Sequence, residues 1–463
     1  MKKITIYRSN MVLVVLTIAV LLQSCKKSWL DAKPDKALVV PTSIEDFQAI
    51  LDNNTVSQLF NFNQPALSEM GAGDFQLEYN AWQALPLLQE RSAYVWDSDL
   101  FVGEPGFDWN NSYKRILYAN IVLEGISHIS AKPQDQTQWN QVKGTALFYR
   151  SYDFFNLVQD FAKAYDRGSA TRDLGIPLRL NSNINTKTQR ATVQETYDQI
   201  IADLLTAKTL LPDQPAYVTR GSKCAVYALL SKVYLHTAQY DLALKYADSC
   251  LRLNAELLDF NTLDSVAVIP ISRFNKEVVY HHNLALYAGF DKNASVLIVD
   301  PQLYNAYDAN DLRKTILFKN VSGLITRNAS YSGDNNLFGG LATDEMYLIK
   351  AECYARENNT SAAMESLNIL LAKRWKTGTF IPFTATNAEN ALSKVITERR
   401  KELVFRGNRW HDLKRLNTDP RFAISLTRDL NGKVYTLLPN DNKYTLPIPP
   451  DEVRLSGLVQ NPR

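Results

Sequence analysis

The sequence predicts a mainly α-helical fold of tetratricopeptide-like hairpins, interrupted by large loop insertions that contain short β-strands. Three observations carry this prediction. Apolar residues recur at helical spacing through 111–129, 137–164, 193–211, 220–237, 240–253, 343–357, 360–376 and 387–417. Two of these hairpins repeat one another at an offset of 120: Tyr227, Ser231, Tyr234 and Ala243 against Tyr347, Ala351, Tyr354 and Ala363. Between the helices lie two long segments of different character, about 53–110 and 254–342, broken by Asn, Asp, Gly and Pro.

The repeat has a packing rationale. A small residue on the first helix lets its partner approach, and an Ala on the second fills the contact. With 23 tyrosines the Tyr-to-Tyr spacing alone also arises by chance, as Tyr280 and Tyr287 show. The full four-position pattern occurs only in the two hairpins. Of 463 residues, 46% are hydrophobic and 11% aromatic, which excludes a disordered chain and supplies a large core.

In chain order, Lys2, Lys3 and Arg8 precede an apolar run from Met11 to Leu22 and then Gln23-Ser24-Cys25. A basic start and a short apolar stretch read as an export signal, residues 1–24, because a membrane span needs about 20 apolar residues. The ending resembles a bacterial lipobox, with Cys25 as the lipid attachment site, although Gln23 is not the usual small residue. Acylation there predicts an exported, lipid-anchored protein. Residues 25–45 read as the lipidated tether and 46–463 as one domain. Thr42-Ser43-Ile44-Glu45 looks like a capped helix start. Runs such as Val266–Ile271, Val278–His281 and Ser295–Val299 read as short strands in the second insertion.

Charge narrows the partners. The net charge is +3, and Lys2, Lys3 and Arg8 lie in the first 24 residues, which hold no acid. The remainder is neutral, so nucleic acid is not an expected partner. Cys224, Cys250 and Cys353 are an odd number, which argues against a disulfide framework. Cys224 and Cys250 could meet across a helical hairpin, with buried free thiols the expected state.

No cofactor or catalytic motif stands out. His281-His282 face opposite sides of a strand, and no His-x3-His, Cys-x2-Cys, phosphate loop, Rossmann fingerprint or Gly-x-Ser-x-Gly elbow occurs. Neither a metal nor a cofactor is expected. The charged segment Glu398–Arg415 reads as structural, its acids pairing with arginines at helical spacing while Trp410 and Leu413 turn inward. The aromatic loops are the candidate ligand site. Tyr79, Trp82, Trp96 and Trp109 interleave with Asp74, Gln76, Asn80, Gln83 and Asp97, a mixture suited to the apolar faces and hydroxyl edges of a sugar. Tyr287 and Tyr331 are candidates for a second wall, and Trp109 heads a helix and is expected to be core. The site expectation is thus Asp74, Tyr79, Trp82, Trp96, Tyr287 and Tyr331.

Several segments together resemble the SusD/RagB family of outer-membrane nutrient-uptake lipoproteins. They are Cys25 with Trp29-Leu30-Asp31; Trp109 with Tyr113-Lys114-Arg115-Ile116 and Ala119-Asn120; Ala146-Leu147 with Tyr152–Val158 and Gly175-Ile176-Pro177-Leu178; the run Ile396–Arg415; and Pro447-Ile448-Pro449 with Gln460-Asn461-Pro462. Arg406 departs from the family, which often has Glu there, and His411 stands where an aromatic is common. The resemblance implies a non-enzymatic receptor facing the cell exterior, capping a SusC-like TonB-dependent transporter and delivering a nutrient, glycan first and peptide second. A protein-interaction scaffold that uses the tetratricopeptide-like surface is the alternative.

Overall fold

Side-chain caps decide where the helices begin. In the computed structural model, which describes residues 41–53, 59–291 and 297–463, α1 (Ile44–Leu51) opens on Ser43. Its hydroxyl accepts the Asp46 N–H at 3.1 Å, and the Asp46 carboxylate accepts the Ser43 N–H at 3.0 Å. These bonds satisfy donors that a helix start otherwise leaves orphaned. The short α2 (Tyr79–Gln83) and α3 (Leu88–Tyr94) belong to the first insertion. Then come α4 (Phe107–Ser127), α5 (Gln136–Phe161), α6 (Val193–Leu210), α7 (Lys223–His236) and α8 (Tyr240–Leu253). Thr192 caps α6 in a second capping box with Glu195, and Ser222 caps α7.

The second insertion carries α9 (Pro301–Asn305) and α10 (Arg313–Ile316). The helical stack resumes with α11 (Thr343–Arg356), α12 (Thr360–Leu371), α13 (Ala388–Glu402) and α14 (Arg409–Leu416), and α15 (Pro450–Ser456) lies near the C-terminus. From α4 to α8 each helix packs on the next, and α8 packs directly on α11. The 254–342 insertion therefore loops out between two hairpins that remain neighbours in the stack. Their repeat residues do what their size allows. Ser231 and Ala243 are fully buried, and the Ser231 hydroxyl donates to the Ala243 carbonyl at 3.0 Å; Ala351 and Ala363 are equally buried. The Cys224 and Cys250 thiols, both buried and free, face each other across α7 and α8 at 3.5 Å.

Strands are short and occur as antiparallel pairs: β1 (Phe75–Gln76) with β5 (Ile298–Val299), β2 (Leu174–Pro177) with β3 (Arg190–Thr192), β4 (Val278–Tyr280) with β8 (Leu341–Ala342), β6 (Phe318–Val321) with β7 (Leu324–Arg327), and β9 (Leu426–Leu430) with β10 (Lys433–Leu437). Two expectations change. Val266–Ile271 is not a strand but turn and bend, with Val266 and Val268 87% and 86% exposed. The 387–417 periodicity is split, because Phe405 and Gly407 adopt left-handed backbone (φ 59° and 71°) that a helix cannot contain. The break turns α13 toward α11 and α12, while α14 packs Trp410 and Leu413 against Trp96, Leu437 and Tyr444. Residues Ser43–Arg463 form one compact unit. Cys25 and the expected export signal lie outside the described residues.

The charged segment does not simply pair along its own helix. Lys401 meets Glu398 and Arg415 meets Asp412, each at 2.8 Å as the spacing suggests, but most of the other partners come from elements outside the segment. Arg313 forks between Asp311 (2.6 Å), Glu398 (2.5 Å) and Glu402 (2.9 Å), and Arg374 joins Glu402 and Glu277, each at 2.8 Å. Arg399 bridges Glu345 and Asp412, Arg415 bridges Asp412 and Glu352, and Arg406 pairs with Asp344. Almost all of these side chains are buried. Deleting one buried charge strands the rest, at a cost of about 3–5 kcal/mol. Arg313→Met is therefore expected to lower unfolding free energy by about that amount in a denaturant titration.

Candidate ligand-binding site

Hydrogen bonds between the two insertions build the site. Phe75 pairs with Val299 and Gln76 with Ile298, and the Asp300 N–H donates to the Asp74 carbonyl at 3.0 Å. Farther along, the Ala285 N–H donates to the Gln64 carbonyl at 2.8 Å, and the Gly289 N–H to the Glu90 carboxylate at 3.1 Å. Segments about two hundred residues apart in sequence thus form one layer against α13 and α14.

A cavity of about 530 Å³ opens between β1, α13, the β9–β10 hairpin and the start of α9. Its wall is mostly polar, with Gln76, Asp300, Gln302, Arg400, Arg409 and Thr427 among its residues. Asp74 is buried behind that wall. One of its oxygens accepts the Arg400 Nε–H at 2.9 Å, and the other has no partner. Beneath it, Glu69 is enclosed by protein, and burial, aided by the nearby Asp74 charge, pushes its carboxyl up to about 8.

From β1 the chain runs straight into α2, none of whose residues is buried. Tyr79 and Trp82 are partly exposed and pack together with ring centroids 5.9 Å apart. The Trp82 indole N–H donates to the Arg91 carbonyl at 3.0 Å and the Gln83 amide to the Tyr79 hydroxyl at 2.6 Å, so the two rings are held as a platform. Asn80 and Gln83 are exposed beside them.

Three of the rings expected at the site are buried, although Trp96 also borders the 530 Å³ cavity. Trp96 is 2% exposed, gives its indole N–H to the Gly71 carbonyl at 3.1 Å, and packs in the cluster around Trp410. Tyr287 is 2% exposed with its hydroxyl on Asp108 at 2.8 Å; the same carboxylate accepts the N–H groups of Ala66 and Leu67. Tyr331 is 4% exposed with its hydroxyl on Glu277 at 2.5 Å and the Arg406 guanidinium over its ring. Each ring ties an insertion to the scaffold. Asp74, itself buried, bears on the cavity only through Arg400 and Arg409. Trp109 is core as expected, in edge-to-face contact with Phe161 at 5.0 Å, although it also borders a second, smaller cavity of about 300 Å³ beside Tyr113 and Pro177.

Arg400, Arg409, Asp300 and Gln302 were not marked by the sequence. Arg400 and Arg409 sit on opposite sides of the α13–α14 break, and no spacing rule shows that both turn toward one cavity. Among the described residues, no group of three or more His, Cys, Asp or Glu is placed to hold a metal ion, and no helix is long and apolar enough to cross a membrane.

Comparison with known proteins now bears on this geometry. Residues 28–235 match the SusD-like family model described as starch-binding and associating with the outer membrane, and residues 342–463 match the SusD family model. The chain belongs to the SusD/RagB family. It is similar to SusD-like protein P2 of Formosa agariphila, 26% identical over 435 residues, covering 76% of this chain and 79% of that relative. A SusD superfamily protein of Bacteroides thetaiotaomicron superposes with a TM-score of 0.69 at 22% identity, over 91% of this chain and 100% of that one. Surface glycan-binding protein A of Bacteroides fluxus does so with a TM-score of 0.67 at 18% identity, over 91% and 100%. The helical SusD fold is thus shared. Neither family match extends over 236–341, the stretch that holds the second insertion.

Glu69 yields a pH prediction. Its carboxyl holds a proton more tightly folded than unfolded, so its contribution is full below about pH 4.5 and is lost as pH rises through about 8. Glu69→Gln, which cannot ionise, is expected to gain stability relative to the parent progressively across that window. Thermal melts at a series of pH values read it directly, and parallel pH profiles for the two proteins would contradict it.

Proposed function

We propose that this SusD-family protein is a non-enzymatic outer-membrane receptor, acylated at Cys25, that binds an extracellular glycan and delivers it to a SusC-like TonB-dependent transporter. The observation that carries the reading is the Tyr79–Trp82 platform, two partly exposed rings beside the amides of Asn80 and Gln83. A pyranose presents apolar C–H faces to such rings and hydroxyl edges to amides. The polar cavity, whose wall includes Gln76 and Leu77 just before the platform in the chain, offers further donors and acceptors. Relatives named for glycan or carbohydrate binding, among them the Bacteroides fluxus protein and a SusD-like carbohydrate binding protein of Bacteroides vulgatus, support the same ligand class. The helical stack supplies the rigid body that a docking face needs. Modest affinity suits delivery, because a very tight site releases its ligand slowly.

Binding and stability separate the roles of the two tryptophans. Trp82→Ala is expected to weaken oligosaccharide binding about tenfold in calorimetry with an unchanged melting temperature. Trp96→Ala should instead cost about 3–5 kcal/mol of stability. Equal stability loss in both variants would place Trp82 in the core and remove the platform from the site. Cys25→Ser is expected to shift the protein from the membrane to the soluble fraction of exported protein.

A further inference from the structure

The wall of the 530 Å³ cavity contains a guanidinium that finds no hydrogen-bond acceptor in the protein. Arg409 makes no hydrogen bond. Its side chain is only 10% exposed, its Nε–H is buried and unpartnered, and the nearest carboxylate oxygen, on Asp74, is 3.8 Å away. That oxygen already accepts from Arg400 at 2.9 Å, so one carboxylate faces two guanidinium groups. The other charges on the wall are committed elsewhere. Asp300 caps α9 by accepting the Leu303 N–H at 2.9 Å, with one oxygen 3.6 Å from Arg400. Asp429 holds the Gly432 N–H at 2.8 Å in the hairpin turn. Arg428 donates to the carbonyls of Tyr94, Phe75 and Met70. Burial, and after it the like charge of Arg400, push the Arg409 group downward by more than Asp74 and Asp412 push it back.

A buried N–H without an acceptor is costly, and a planar or tetrahedral oxyanion is the ligand group that a guanidinium fork satisfies best. We propose that this cavity is an oxyanion subsite, in which Arg409, with Arg400 beside it, recognises a carboxylate or sulfate carried by the ligand. Together with the receptor reading above, on which this assignment of the ligand rests, it makes the preferred ligand an acidic saccharide, its ring held by the platform and its charged group by the cavity. A uronic acid and a sulfated sugar present the same chemistry to the fork, and binding assays tell them apart.

The test titrates the intact soluble protein with glucuronate, a sulfated monosaccharide, inorganic sulfate and neutral glucose, and separately with neutral oligosaccharides. At least one anion should bind and raise the melting temperature where glucose does not, with an affinity that falls as salt rises. Arg409→Gln should weaken that binding at least about tenfold while leaving the ligand-free melting temperature unchanged or higher, since it removes an unsatisfied charge. Thr427→Trp, at an exposed position of β9 on the cavity wall, should weaken it comparably without touching the buried charges. Arg409-dependent binding of inorganic sulfate alone also supports the subsite. No response to any anion at about 10 mM overturns the proposal, as does anion binding that both variants retain. A lower ligand-free melting temperature for Arg409→Gln with undiminished anion binding makes Arg409 a structural cation and overturns it too. Neutral oligosaccharides that bind when anions do not leave the receptor reading standing and remove only the subsite.

Discussion

Everything in this fold hangs on a buried lattice of guanidinium and carboxylate groups centred on α13. Arg313, Arg374, Arg399 and Arg415 each reach two or more acids, and the acids in turn are shared: Glu402 by Arg313 and Arg374, Asp412 by Arg399 and Arg415. Such a lattice is a poor source of net stability, because desolvating charges cancels much of their attraction. What it provides is uniqueness. An acid on one element and an arginine on another are satisfied in one arrangement only, and any slippage leaves charges buried alone. Glu277, Asp311 and Arg313 belong to the second insertion, so the lattice fixes a loop that helix packing alone would leave free.

That constraint explains how a helical stack comes to present a site. Stacked hairpins give a rigid body. The two insertions supply shape, and they do so jointly: β1 pairs with β5, and Tyr287 on one insertion reaches Asp108, just inside α4. The cavity lies at this seam, backed by α13 and α14, and the platform follows directly after β1. A ligand there touches loops, yet the loops are held by the buried lattice behind them. This is the arrangement expected of a binding site whose surroundings must keep their shape as ligands come and go.

Much of the fold was legible because it depends on local pattern. Ser43 and Thr192 announced or fitted helix starts, and the Tyr, small, Tyr, Ala spacing located both hairpins because each residue meets its partner within one helix pair. The split of 387–417 was not legible. Phe405 is an ordinary apolar residue in a helical register, and its left-handed backbone follows from the need of α13 and α14 to face different neighbours. Nor was the fate of Tyr287 and Tyr331 legible. Both look like loop aromatics, and each is buried by a carboxylate more than fifty residues away.

The sequence by itself determined the helical class, the repeated hairpins, the place of both insertions and the resemblance to SusD-type lipoproteins, since periodicity and signature residues act over short distances. Only the tertiary structure decided which rings face outward, which acids serve the buried lattice and which arginine is left over. Exposure and ion pairing are settled by what the rest of the chain brings alongside. Trp82 and Trp96 show this most directly: they sit fourteen positions apart in one loop with similar neighbours, and packing puts one on the surface and the other beneath it.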